Sequence, residues 1–389
     1  MKDIRVEPEE QELILVESSQ GILSDQLHIL YLPQAIGFAA ARLLGLNFYL
    51  MLQAGRMAAY GCFVLLMFFA IRAFPFGKRL MMVLALMPAV MTQTVSITRD
   101  MMIIGLSFFV VSKVLQAAYS EKRPSMVQWL VILMASALLA PCKAIYLPIS
   151  FFWLLIFYCQ DIYGKKPQWG SLLLRVICCT IPIMVVMAGN SSISIVKMLV
   201  NIFRQPVPQS GAAAAVQAVT ETVTVSMPAN YTVTYALTHL PDTLLVCVNT
   251  LRQQLGDYLV NGIQLFEIDL GSSGSMTIWL LLLLLLESCR VEETREMIRP
   301  VERYFALLIG VCVIMLAMLA SLQWTSVGSY TINGLQGRYL IPMFPLLCIF
   351  LMNNKMVRIH GASELFVKAS CCLFPAVYLM NMYLWTITR

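Results

Sequence analysis

Apolar residues in this chain come in long unbroken runs separated by short polar or basic connections, a pattern that predicts helices and not strands. Continuous runs at residues 55–74, 80–97, 99–119, 126–141, 144–160 and 171–189 approach the length needed to cross a bilayer. A polar segment intervenes at 190–275, and further runs follow at 276–287, 303–322, 339–352 and 365–386. The expectation is an all-α, polytopic transmembrane bundle of about ten spans with one large non-cytoplasmic loop region. The runs are continuous, whereas the strands of a membrane barrel alternate. Residues 32–54 are apolar but broken by Pro33, Arg42, Gly45 and Asn47, which predicts a helix lying in the interface.

Five segments follow from this pattern: an acidic stretch at 1–31, the interfacial helix at 32–54, a first transmembrane block at 55–189, the loop region at 190–275 and a second block at 276–389. The loop region opens on linker-like residues around Pro206, Pro208 and Ala212–Ala215, and Thr220–Thr234 is rich enough in Thr and Val for a strand or an extended loop. From about Tyr235 to Phe266 the leucines Leu237, Leu240, Leu244, Leu245, Leu251, Leu255 and Leu259, with Val248, recur near helical spacing. Asp242 after Pro241 marks the start of that helix, which is amphipathic and rests on the outer membrane face or on the spans.

Composition agrees: 59% of residues are hydrophobic and 12% charged, about half the usual charged share of a soluble protein. The eleven cysteines form no C-x-x-C pair and lie mostly in apolar runs, so they read as small buried hydrophobes. Three scattered histidines give no metal-ligand cluster. Neither a Walker loop nor a G-x-S-x-G elbow is present, and nucleic acid is a poor explanation for basic residues in membrane loops.

The basic residues do orient the chain. Arg72, Lys78, Arg79, Lys122, Arg123, Lys165, Lys166, Arg290, Arg295, Arg299, Arg303, Lys355 and Arg358 fall in every second connection. The positive-inside rule puts that set in the cytoplasm and 190–275 outside. The acidic N-terminal stretch then also lies outside, which predicts a preceding transmembrane helix that these residues do not contain. A short acidic tail that crosses by itself is the rarer alternative.

Against this orientation, Arg56, Arg99, Asp100, Lys143 and Arg338 all map to the non-cytoplasmic ends of spans. Arginine forks and a lysine ammonium match phosphate oxygens, so their convergence predicts an electropositive crevice for an anionic lipid or phosphate headgroup. The plain alternative is that each basic group snorkels to the headgroups from its own helix end. Asp100 is the candidate catalytic residue, as general base or ligand of a divalent cation; the alternative is a structural pair with Arg99.

Several stretches also carry a resemblance. Tyr31–Gly37 with Gly55-Arg56, Ser96–Gly105 containing Asp100, Lys143–Pro148, and Gln336-Gly337-Arg338-Tyr339 with Pro342 and Pro345 occur in that order. On these the chain resembles a family of bacterial polytopic membrane proteins known as domain of unknown function 2142. That family is similar to the GT-C glycosyltransferases, which take sugars from polyprenyl-phosphate carriers on the outer membrane face. The resemblance implies a bacterial inner-membrane protein, an inverting sugar transfer to a glycan or lipid acceptor, and a carboxylate acting on that acceptor or on a metal. It also implies that Arg56, Arg99, Lys143, Gln336, Arg338 and Tyr339 hold the carrier phosphate. The family opens with a transmembrane helix and an acidic loop motif, and Glu7-Pro8-Glu9 stands without that arrangement. Two further readings stay open: a transporter or flippase for a polar lipid or polysaccharide, to which the proline-broken spans would be suited, and a non-catalytic membrane protein.

Overall fold

The structure, a computed structural model, describes residues 28–162, 169–189, 230–231, 233–263, 273–289, 298–352 and residue 376. The acidic N-terminal stretch, residues 190–229 with most of the Thr- and Val-rich stretch, and the apolar run at 365–386 (residue 376 apart) lie outside the described residues. Within them the protein is all-helical; the one β-type pairing is an isolated bridge between Asn230 and Ser326. Among the described residues, four helices are long and apolar enough to cross a membrane: α2 (Phe48–Ala73), α5 (Asp100–Ala118), the Trp169–Val186 part of α9 (Trp169–Gly189) and α13 (Pro300–Leu322).

The interfacial stretch resolves differently from its sequence reading. It is shared between α1 (Leu32–Leu43) and the first turns of α2, which fold back on one another as a hairpin. Asn47 caps α2 by accepting from the Leu50 N–H. The two helices touch at glycines. A Cβ on Gly37 would lie 2.4 Å from the Ala54 carbonyl oxygen, so only a residue without a side chain lets the backbones approach.

The most enclosed of the four long helices is α5, with 78% of its span window buried. Its polar groups are satisfied internally: Ser107 and Ser112 donate to the carbonyls four residues back, at 2.7 and 2.8 Å. Met102 of α5 lies beside Cys62 of α2, and Gly105 faces Phe63 and Leu66, so α2 and α5 run parallel. In that register Asp100 is level with about Tyr60. The first three turns of α2, roughly 18 Å at ~1.5 Å per residue, extend past it. Gln34 ties α1 to the turn before α5 by donating to the Thr98 carbonyl at 3.2 Å.

Two of the expected spans are not single helices. Residues 80–97 divide into α3 (Lys78–Ala85) and α4 (Pro88–Val95). Pro88 has no N–H to donate, and Met87 before it is extended, with ψ 139°. Residues 144–160 become a 3₁₀ turn (Ala144–Tyr146), α7 (Leu147–Ser150), α8 (Leu154–Phe157) and a π-turn (Tyr158–Ile162). The connection from α5 to this region is α6 (Met126–Leu139), started by a Ser125–Gln128 capping box.

The loop region contributes α10 (Val233–Thr238) and α11 (Leu240–Ile263), with Asp242 in the first turn of α11. Its packing face is not the leucine stripe. Thr243, Val246, Cys247, Thr250, Tyr258 and Gly262 are buried, whereas Leu240, Leu244, Leu245 and Val248 are more than half exposed. Small and hydroxyl residues let α11 lie close on residues 325–337, where Thr250 accepts from the Ile332 N–H at 2.8 Å. After α12 (Ser273–Cys289) and α13, the chain returns through a 3₁₀ segment (Gly337–Met343) into α14 (Phe344–Leu351).

Candidate functional site

Asp100 is the first residue of α5, and its carboxylate is where three connections meet. From the turn after α6, Lys143 donates to Oδ1 at 3.2 Å. From the 3₁₀ segment before α14, the Arg338 guanidinium lies 3.5 Å from Oδ2. Both cations are partly enclosed, with side chains 19% and 33% exposed, and the carboxylate is 13% exposed. The Arg99 pairing is not formed: no ion pair joins Arg99 to its neighbour, and Asp100 spends its oxygens on residues 43 and 238 positions away.

Tyr339 forms the floor. The Lys143 ammonium sits 4.4 Å from the centre of its ring, and the Arg338 guanidinium 5.7 Å. Tyr146, fully buried in the 3₁₀ turn after Lys143, donates to the Tyr339 carbonyl at 3.3 Å and fastens the two connections together. Gly337 makes this placement feasible. A Cβ there would lie 2.5 Å from the Tyr258 carbonyl oxygen and 2.7 Å from the Gly262 nitrogen, both backbone atoms of α11. Thus α11 seats the Gln336–Tyr339 segment through a glycine contact.

Charge in this cluster is unbalanced. Lys143 and Arg338 face one carboxylate, and Arg99 stands near enough to act on Lys143. Burial lowers the pKa of Lys143 below its ordinary value; Asp100 opposes that shift, and Arg99 and Arg338 add to it. Arg338 Nε and Gln336 Oε1 are buried with no hydrogen-bond partner among the described residues. Such groups are costly unless a ligand or water satisfies them.

The remaining sequence candidates sit apart. Arg56 lies on α2 about one turn beyond the level of Asp100 and forms no ion pair with it; its Nε is buried without a partner. Two residues were not singled out as site residues from sequence. Gln34 is 1% exposed with an unpartnered Oε1, and Tyr146 is the fastening hydroxyl. Both fall in stretches that carried the resemblance, which was the available signal.

The donors around Asp100 do not suit a divalent cation. Each oxygen already faces an ammonium or guanidinium, and a third cation stands beside them, so a metal would add charge where it is in excess. Among the described residues, no three His, Cys, Asp or Glu side chains gather into a ligand set. The arrangement suits an anion that brings several oxygens.

Comparison with curated proteins and with solved structures finds no match. A family model does match, over residues 23–347, from before α1 to within α14 and across every connection that builds the Asp100 cluster. The chain belongs to DUF2142, a family of predicted membrane proteins.

Proposed function

We propose that the chain is a roughly ten-span bacterial inner-membrane glycosyltransferase of GT-C type, using a polyprenyl-phosphate-linked sugar at its outer face. The observation that carries this reading is the cation excess around Asp100. Lys143 and Arg338, with Arg99 beside them, form a partly enclosed receptor for a lipid phosphate, and Arg338 Nε awaits an acceptor oxygen. In the transfer, the bond between the sugar's anomeric carbon and the phosphate oxygen breaks, and the acceptor hydroxyl oxygen takes that carbon. Negative charge grows on the leaving phosphate, where Lys143 and Arg338 stabilise it. A phosphate that draws both cations away from Asp100 frees the carboxylate to take the acceptor's proton.

The test is turnover of a polyprenyl-phosphate sugar by purified protein in lipid nanodiscs, with release of polyprenyl phosphate as readout. Arg338→Ala lowers that release by about two orders of magnitude, the scale of losing one transition-state donor. Unchanged release from the variant would remove Arg338 from the site.

One observation favours a second reading, in which the protein binds or moves the lipid without chemistry: both Asp100 oxygens are held by cations. Movement of a labelled polyprenyl-phosphate lipid across vesicles, chemically unchanged, would support it over transfer.

A further inference from the structure

At the opposite end of α5, away from Asp100, a second charged group lies beside an apolar crevice. Arg123, after α5, and Arg175, on α9, reach the two oxygens of Asp161 at 3.2 and 3.1 Å. Asp161 is nearly enclosed, at 9% exposed, while the arginine side chains are 71% and 40% exposed. One carboxylate thus orients two guanidinium groups and leaves them with a net positive charge. Arg123 commits one donor, and Arg175 two, the second to the Ser171 carbonyl. Each guanidinium therefore retains free donors out of five.

The crevice, about 290 Å³, is lined by Leu155, Phe157, Tyr158, Leu172, Val176 and Phe305, among others. Its walls come from α8 with the π-turn, α9 and α13. Arg175 stands at its edge: it precedes Val176, and its guanidinium lies 5.7 Å from the centre of the Phe157 ring. Exposed Leu173, Leu174 and Ile177 continue the apolar surface along α9 toward the bilayer. The basic connections at Lys122-Arg123 and Lys165-Lys166 place this end at the cytoplasmic membrane surface, where anionic headgroups concentrate.

We propose that this crevice is a binding site for an anionic glycerophospholipid of the inner leaflet, with an acyl chain between α9 and α13 and the phosphate on Arg123 and Arg175. The apolar walls suit the chain, and the paired forks suit the phosphate oxygens. Asp161 is the positioning residue that aims both forks. None of these residues belongs to the Asp100 cluster, so the proposal stands apart from the glycosyltransferase reading.

The test uses the full-length protein in detergent, with phosphatidylglycerol, phosphatidylcholine or inorganic phosphate added and bound lipid counted by native mass spectrometry. Phosphatidylglycerol is retained at least about ten-fold better than phosphatidylcholine, the scale of one charge-assisted phosphate contact. Arg123→Gln with Arg175→Gln removes that preference, and Val176→Trp lowers retention of both lipids. In parallel, a photo-cross-linking residue at exposed Leu173, one turn before Val176 on α9, captures phosphatidylglycerol; this measurement needs no arginine substitution and survives a misfolded double variant. Equal retention of the two lipids, displacement of phosphatidylglycerol from the cross-linker on α9 by inorganic phosphate, or cross-linking to peptide would each overturn the proposal.

Discussion

Asp100 and Glu302 each stand in the first turn of a helix and sit near opposite ends of α5, yet their surroundings differ in kind. Glu302 is 1% exposed and fully engaged. Tyr119 donates to its Oε2, Cys159 to its Oε1 at 3.2 Å, the Arg299 N–H to Oε2 at 3.1 Å, and the Arg299 guanidinium lies 3.6 Å from Oε1. That carboxylate closes a knot between α5, the π-turn and α13. Around Asp100 the balance is reversed: cations exceed carboxylates, the side chains stay partly accessible, and neighbouring polar atoms are left over. A buried charge with every partner supplied is built to stay; one with surplus partners is built to meet something else.

Breaking each cluster should show that contrast. Glu302→Ala strands Tyr119 and the Arg299 N–H in an enclosed site, and should destabilise the protein by about 3–5 kcal/mol, read by unfolding in mixed detergent micelles. Anion binding at the other end should be intact in whatever fraction stays folded. A stable Glu302→Ala protein would mean that the knot is not structural.

Gly337→Ala forces a methyl against the backbone of α11, and overpacking of that kind costs about 1–3 kcal/mol. Because the strain falls on the Gln336–Tyr339 segment, the variant should also lose phosphate affinity, measured by calorimetry with inorganic phosphate. Unaltered affinity would show that α11 does not set the position of Arg338.

Asp100→Asn separates the two clusters most directly. Removing a partly exposed partner should cost about 1–2 kcal/mol of stability, less than the enclosed pair. The same change leaves the cations unopposed and should raise phosphate affinity about ten-fold. Glu302→Gln should leave that affinity where it was. Weaker phosphate binding in Asp100→Asn would instead make the carboxylate part of the receptor.

The smallest effect concerns pH. With its folded pKa lowered, Lys143 holds fewer protons in the folded than in the unfolded protein between the two values. Stability therefore rises with pH through that window, from the lowered value up to the ordinary ~10.4 of lysine. Phosphate binding runs the other way and falls as the ammonium deprotonates, at a lower pH than for an exposed lysine. Lys143→Arg should flatten that alkaline fall, since a guanidinium keeps its charge. An unchanged alkaline limb would assign it to another group.

The helical class was legible because length and apolarity act locally: α2, α5, α9 and α13 each declare themselves in a window of about twenty residues. The breaks were less legible. Pro88 signals a boundary, but whether a proline kinks a span or divides it depends on what packs around the gap. The leucine stripe of α11 misleads for a related reason. In a membrane protein the apolar face need not be the packing face, because lipid receives leucine as well as a protein core does. Threonine, cysteine and glycine, which look neutral in sequence, make the tertiary contact.

For the candidate site, sequence placed Arg99, Asp100, Lys143 and Arg338 at one membrane level, since charge at span ends follows from the order of basic connections. It left open which cation holds Asp100. Adjacency favours Arg99, yet Lys143 and Arg338 take the two oxygens. Only the tertiary structure decides that, because the choice rests on long-range packing: α5 parallel to α2, Tyr146 on the Tyr339 carbonyl, and Gly337 against α11. The chain by itself determines where its charges can be; the folded helices determine which of them share a carboxylate.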